Sequence, residues 1–367
     1  MQRVKELDSL RGLSALAIVF FHLPWIQVGL LGTPIYLFFV LSGYLITSII
    51  LSHPPSGGFL FAFYLRRGLR IWPIYYLSLL LLVAINRWTP SPASLDNLPH
   101  YLTFTQLGSY YWSNTVPAPI PAFEHTWTLA VEEQFYLIWP ALLLLLRRRG
   151  VSVAAIAVIA LAVAMRILGF NGWLLATNCD GLALGALLAG LLHGRSQSEA
   201  RVLYATRFWV VGLGAALCVA GSLAFRLVPG SGFGGIAPAL AAARPLALNL
   251  FYFALVALTV LYAGDRRLAV LRDRRLVYLG EISYGLYLYH YMIFVLWHDY
   301  AAQHGLESSV VYDLAKVGAS VVAAALSYRF VERPLLSIKD LVPYPAAGSR
   351  EVRFPRRLIP LTGPQKS

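Results

Sequence analysis

The chain has 367 residues, of which 58% are hydrophobic and only 13% charged, with a formal net charge of +13 and a mean hydropathy of +0.64. That composition excludes a water-soluble globular domain, and the recurrence of apolar runs of about 17–22 residues implies a polytopic membrane protein. The two cysteines, Cys179 and Cys218, fall inside predicted spans without metal-ligand spacing, and read as small apolar residues rather than a disulfide.

The hydropathy pattern predicts an all-α bundle of about ten transmembrane helices, over 9–29, 34–52, 70–86, 126–146, 151–168, 173–193, 208–226, 246–264, 277–297 and 309–330. The first run lacks a small-residue cleavage site and reads as the first span rather than a secretory leader. Pro24, Pro73 and Pro140 are expected to interrupt or end helices, with the freed backbone groups satisfied by neighbouring helices or a wet cavity. Arg3, Lys5 and Arg11 share one side of the membrane with Arg66, Arg67 and Arg70, with Arg147, Arg148 and Arg149, with Arg195, Arg201 and Arg207, with the 264–276 loop and with the C-terminal segment. The other side keeps only Arg87, Arg166, Arg226 and Arg244, and Lys316 lies inside a span. The positive-inside rule then puts both termini in the cytoplasm. The basic charge reads as topology and contact with anionic lipid, not as a nucleic-acid footprint.

Two connections on the other side are long. Residues 87–125 are rich in Pro, Ser and aromatics, which suits either an interfacial belt or a carbohydrate-stacking surface. Residues 227–245 are rich in Gly, Pro and Ala. Residues 337–367 have no sustained period and are expected to form a mobile cytoplasmic tail, leaving 1–336 as the membrane domain.

Taken in chain order, the polar residues inside or beside the spans are the candidates for chemistry. Arg11 and His22 are eleven residues apart, about three helical turns, so they share a face with His22 about 16 Å further along. With Arg11 at the cytoplasmic surface, His22 is expected near the membrane midplane, where an imidazole is costly unless it has a task. The sequence Arg66-Arg67-x-x-Arg70 can bind phosphates by charge-assisted bidentate hydrogen bonds, or serve as ordinary positive flanking. In HTWTLAVEEQFYLIWP, Glu132 lies inside a span with Glu133 pointing about 100° away. A carboxylate there needs a cation or an imidazole N–H, and His22 is a plausible partner. Asp180 sits in NCDGLALGALLAG, where Gly181, Gly185 and Gly190 suit close helix packing, and is either a structural polar partner or a substrate contact. His290, among tyrosines in ISYGLYLYHYMIF, is either structural or catalytic. Glu332 in YRFVERPLL is expected to pair with Arg329, Arg333 or another basic loop.

In order and at suitable spacing over residues 6–336, these blocks resemble the acyltransferase family 3 membrane proteins. The matching stretches are Leu7-Asp8-Ser9-Leu10-Arg11-Gly12 with Arg11…His22, LFFVLSGYLI at 37–46, Arg66, Arg67 and Arg70, and Trp127-Thr128-Leu129-Ala130-Val131-Glu132-Glu133-Gln134-Phe135-Tyr136. Two late blocks end at His290 and at Phe330-Val331-Glu332-Arg333-Pro334. The chain departs from the family pattern at Pro34-Ile35-Tyr36, where relatives often have Gly-Val-Asp, and at Thr128, which replaces a serine and keeps the hydroxyl. Some relatives carry a fused SGNH-type domain, for which this chain is too short, so transfer is expected to finish in the membrane domain or on a separate polysaccharide-assembly protein.

The resemblance implies a membrane O-acyltransferase of a bacterial cytoplasmic membrane. It implies acetyl-CoA or another acyl-CoA as donor, a carbohydrate acceptor such as a surface or secreted polysaccharide, and no metal. Arg11, Arg66, Arg67 and Arg70 would hold the donor phosphates. His22 would act as general base with Glu132 orienting it, or would carry the acyl group covalently. Ser42 and Tyr44 are candidate oxyanion donors. A secondary transporter would also use buried ionisable residues, but it predicts internal repeats and the blocks occur once each. A non-catalytic component of polysaccharide export is the third alternative.

Overall fold

The computed structural model describes residues 3–26, 28–53, 57–87, 94–106, 119–146, 150–170, 174–226, 237–304, 309–339 and 341–344. Every regular element among them is helical. In chain order these are α1 (Lys5–Phe21), α2 (Ile35–Ser52), α3 (Gly57–Asn86), the short α4 (Leu98–Leu102), α5 (Trp127–Leu146), α6 (Val151–Ile167), α7 (Leu175–Leu192), α8 (Gln197–Arg226), α9 (Ala237–Leu261), the short α10 (Arg274–Glu281), α11 (Ser283–Gln303), α12 (Val310–Ser327) and α13 (Arg333–Lys339). A π-turn, Tyr328–Glu332, joins α12 to α13. The expected arginine run 147–149, much of the 87–125 and 227–245 connections and most of the C-terminal segment lie outside the described residues.

Helices stand at all ten predicted positions, and seven of them (α2, α3, α5, α7, α8, α9 and α12) are long and apolar enough to cross a membrane. Of the other three, α1 and α6 have 17 residues each, and the 21-residue α11 is diluted by tyrosine and histidine. Side chains such as Val202 (86% exposed) and Leu145 (82% exposed) point outward, as a lipid-facing surface requires. The architecture is that of an all-α polytopic membrane protein.

The largest correction concerns α1. It begins at Lys5, four residues earlier than expected, and ends at Phe21, so His22 caps its C-terminal end instead of standing mid-span. The polar first turn is tolerated because its acids are partnered. Glu6 accepts hydrogen bonds from Gly264 N and the Arg272 guanidinium, both at 2.9 Å, and Asp8 pairs with Arg3 at 2.6 Å. Of the three prolines, Pro24 follows the end of α1 as expected. Pro73 and Pro140 lie inside α3 and α5 without ending either helix. Carbonyls near them are taken up by neighbours, Ile71 O by Tyr284 OH and Leu137 O by Tyr64 OH, both at 2.9 Å.

Small residues set the helix crossings. A Cβ on Gly43 of α2 would lie 1.8 Å from Leu182 O of α7, and one on Gly185 of α7 would lie 2.0 Å from Val40 O. α2 and α7 therefore touch backbone to backbone. Gly280 of α10 meets Asp8 of α1 in the same way, at 2.0 Å, which fixes the start of α1 against α10. Gly43→Ala is expected to lower stability by about 1–3 kcal/mol or more, because neither backbone can yield. Gly214→Ala on α8, where a Cβ meets nothing within 4 Å, serves as the neutral control in thermal unfolding in detergent.

Basic segments converge at one end of the bundle. Arg201 donates to Leu261 O, Gln197 to Val260 O and Ala263 O, Arg272 to Glu6 and Arg66 to Val342 O. The start of α1, the start of α8 and the end of α9 with the segment after it are thereby held together there, and residues 341–344 are tied to α3. Arg166 lies at the opposite end, where it donates to Thr177 O.

Candidate active site

A cavity of about 320 Å³ opens beside the start of α1 and runs into the bundle between α1, α2, α3, α5 and α11. At its mouth Arg3 bridges Asp8 and Glu281 at 2.6 and 2.8 Å. Hydrogen bonds from Arg3 to Glu281 and then to Asp8 hold that guanidinium above its ordinary range. Deeper in, the walls carry Arg11, Arg67 and Arg70 against only two carboxylates, Glu132 and Glu332. Beyond Glu132 the cavity is lined by Thr128 and Tyr287, with Ile35 and Phe38 of α2. Thr128 lies one turn earlier on α5, at the end away from the basic segments.

The cations in this cavity are poorly answered by the protein. Arg67 lies 4.1 Å over the Tyr136 ring, and its buried Nε has no hydrogen-bond partner. Among the described residues neither Arg11 nor Arg70 makes a hydrogen bond or an ion pair. Partly buried guanidinium groups are costly unless an anion answers them, so these three side chains have donor capacity left for an anionic group. Glu132 does not serve that role directly. Its Oε1 accepts from Ser42 Oγ at 2.9 Å and its Oε2 from Tyr136 OH at 2.6 Å. By holding Tyr136, Glu132 fixes the ring on which Arg67 rests.

A second constellation lies beyond Tyr287, outside the lining of the cavity. His22, His290 and His125 form a row, with ring centroids 5.1 Å apart for His22 and His290 and 5.3 Å for His290 and His125. Each ring is held by a backbone carbonyl. His22 Nδ1 lies 2.8 Å from Ile18 O, His290 Nδ1 lies 2.7 Å from Tyr287 O, and His125 Nε2 lies 3.1 Å from Tyr287 O. A carbonyl only accepts, so each of these nitrogens carries the N–H, and the other nitrogen of each neutral ring is a lone-pair acceptor. For His22 that nitrogen is Nε2, the atom a general base needs.

Tyr287 separates the two regions. Its hydroxyl donates to His125 O at 2.5 Å and accepts from Thr128 Oγ1 at 2.7 Å. The hydroxyl at position 128 is therefore in use, which accounts for a hydroxyl residue being kept there. The expected contact between His22 and Glu132 is not formed. The two residues lie on opposite sides of the Tyr287–Thr128 partition, because α1 ends at Phe21 and sets His22 beside α11 instead of α5.

Other candidates are distributed as follows. Arg66 lies outside the cavity, where it donates to Val342 O at 2.8 Å and covers the Tyr344 ring at 4.8 Å. Asp180 forms a buried 2.7 Å salt bridge with Arg166, which ties α6 to α7. Glu332 does not pair with Arg329 or Arg333. The π-turn inserts an extra residue and carries Glu332 round to face the cavity, while Arg329 lies over the exposed Phe330 ring. Glu133 faces elsewhere and accepts from Trp72 Nε1 at 3.0 Å. Ser42 lines the cavity, whereas Tyr44 does not. His125, Tyr287 and Tyr291 were not singled out from the sequence. His125 directly precedes the Thr-Trp-Thr-Leu stretch that opens α5, and Tyr287 stands one turn before His290, so both lay within blocks already marked.

A family model described as "Acyltransferase domain" matches residues 4–329. Similar curated proteins include "Putative O-acetyltransferase SACOL0978" of Staphylococcus aureus, 28% identical over 91% of this chain and 57% of its own length. "Putative peptidoglycan O-acetyltransferase YrhL" of Bacillus subtilis is 29% identical over 90% of this chain and 55% of its own length. "Peptidoglycan O-acetyltransferase OatA" of Listeria monocytogenes is 26% identical over 90% and 56%. The chain thus spans little more than half the length of these relatives. No solved structure is detectably similar to it.

Proposed function

The chain belongs to the acyltransferase family 3 membrane proteins, and from that premise we propose that it moves a short acyl group, acetyl in the simplest case, from acyl-CoA to a carbohydrate hydroxyl. The reading rests on one observation above the rest: a cavity whose walls carry Arg11, Arg67 and Arg70 reaches Thr128 and Tyr287, and the His22 imidazole, with a free Nε2, stands beyond Tyr287. Arg11, Arg67 and Arg70 take the CoA phosphates, with the unpartnered Arg67 Nε as a donor. The thioester arm runs inward past Ser42 toward Thr128 and Tyr287.

His22 Nε2 accepts the proton of the acceptor hydroxyl as its oxygen attacks the thioester carbonyl. The C–S bond breaks, the ester forms, and the proton passes from His22 to the CoA thiolate. Movement of Tyr287 joins the two compartments for this step. Glu132 acts at one remove, by fixing Tyr136 under Arg67. In a bacterial cytoplasmic membrane the basic end faces the cytoplasm, where acyl-CoA is made, and the acceptor arrives from the other face. The glycan acceptors named for YrhL and OatA support a carbohydrate here. Proteoliposomes given labelled acetyl-CoA and an oligosaccharide should yield label on the glycan that mild alkali releases as acetate. Absence of alkali-labile label on the glycan, with acetyl-CoA intact, would overturn the reading.

A further inference from the structure

The general-base role needs only His22, yet the structure places two further imidazoles beside it. His290 is fully buried and His125 is 8% exposed. His290 Nε2 and His125 Nδ1 are buried with no hydrogen-bond partner. Both are lone-pair acceptors, since the other nitrogen of each ring carries the N–H donated to Tyr287 O. Leaving two such acceptors unmatched in a buried place costs free energy. They sit in one row with His22, whose own Nε2 is a third acceptor. Among the described residues, no three His, Cys, Asp or Glu side chains are arranged to hold a metal ion. What remains is a set of acceptors that calls for O–H or N–H donors.

Tyr291 completes the arrangement. It lies one turn beyond Tyr287 on α11, on the side of the histidines away from the cavity. Its ring centroid is 4.8 Å from His22 and 5.1 Å from His125, and it is only partly buried. An aromatic face flanked by fixed hydrogen-bond acceptors suits a ligand with apolar C–H faces and several adjacent hydroxyls.

We infer that His125, His290 and Tyr291 form the acceptor subsite, which takes a sugar ring with adjacent hydroxyls: Tyr291 covers the ring, His125 and His290 accept from the neighbouring hydroxyls, and His22 takes the proton of the hydroxyl to be acylated. The inference rests on the acyl-transfer reading above and adds which groups choose the acceptor. His125 and His290 come from different segments, the turn before α5 and the middle of α11, so the subsite is complete only when the bundle is closed.

The test uses the full chain in proteoliposomes with acetyl-CoA, methyl glucoside as the probe acceptor, and its monodeoxy analogues. For wild type, at least one deoxy analogue should raise acceptor KM roughly tenfold, the worth of one buried hydrogen bond. His125→Ala should raise acceptor KM by a similar factor, leave KM for acetyl-CoA unchanged, and erase the penalty of one deoxy analogue. His125→Asn, which keeps a carbonyl acceptor, should restore part of the affinity. His290→Ala is the matching probe of the second acceptor, and His125 carries the test alone if that variant fails to fold. Deoxy and histidine penalties that simply multiply would overturn the inference. So would a wild-type enzyme that acetylates simple monohydric alcohols as well as the glucoside. If wild type leaves acetyl-CoA untouched with every acceptor, the acyl-transfer reading itself has failed.

Discussion

Replacing His22 by alanine should lower the rate of acyl transfer roughly 10²–10⁴-fold, the range that general acid–base catalysis supplies. The protein should remain folded, because His22 is only partly buried and its one hydrogen bond closes the end of α1. KM for acyl-CoA should change little, since the arginines proposed to hold it line the cavity and His22 does not. The same variant separates the two chemical routes when wild type is studied beside it. Under a covalent route, rapid acid quenching of wild type with labelled acetyl-CoA and no acceptor would trap label on the protein, and His22→Ala would trap none. Under direct transfer neither protein retains label. Transfer by His22→Ala within a few-fold of wild type would remove the imidazole from the mechanism altogether.

A second large effect is expected at the arginines. A hydrogen bond to a charged group is worth about 1.5–3 kcal/mol, so Arg67→Ala or Arg70→Ala should weaken acyl-CoA binding about 10–100-fold. Both losses should shrink as ionic strength rises, because part of the attraction is then screened in wild type too. Arg66→Ala provides the contrast. Its guanidinium is committed to Val342 O and the Tyr344 ring, outside the cavity, so donor affinity should stay near wild type. Titration of CoA into the three variants measures all of this. Equal losses at all three positions would mean that the cluster acts as a diffuse basic flank and not as a shaped phosphate site.

The sequence carried the ten helical positions because long apolar runs and flanking arginines report directly on span and sidedness. It misplaced α1 by several residues for a definite reason. Hydropathy penalises Glu6 and Asp8, whereas Arg272, Gly264 and Arg3 satisfy them from distant parts of the chain. That error put His22 inside the helix instead of at its end and produced the mistaken pairing with Glu132. Helical spacing within one segment was legible, so Arg67 and Arg70 were brought to the same wall as expected. Relations between segments were not. Nothing in the spacing of Arg66 tells it apart from Arg67, and only the docking of residues 341–344 does. The π-turn that points Glu332 inward likewise shifts the helical phase by one residue, a change invisible to periodicity. His125 was hidden because it lies in the turn before α5 and meets His290 only through tertiary packing.

In the proposed reaction, encounter of donor and acceptor from opposite ends of one bundle, the donor beside Arg3 and the acceptor beside Tyr291, is the decisive step. It is tested most directly in proteoliposomes in which the protein has been oriented, with membrane-impermeant acetyl-CoA and oligosaccharide supplied on chosen faces. Acetyl should appear on the glycan when acetyl-CoA is at the face of the basic loops and glycan at the other, and not when the two are exchanged. Full transfer with both substrates confined to the basic face would contradict the account.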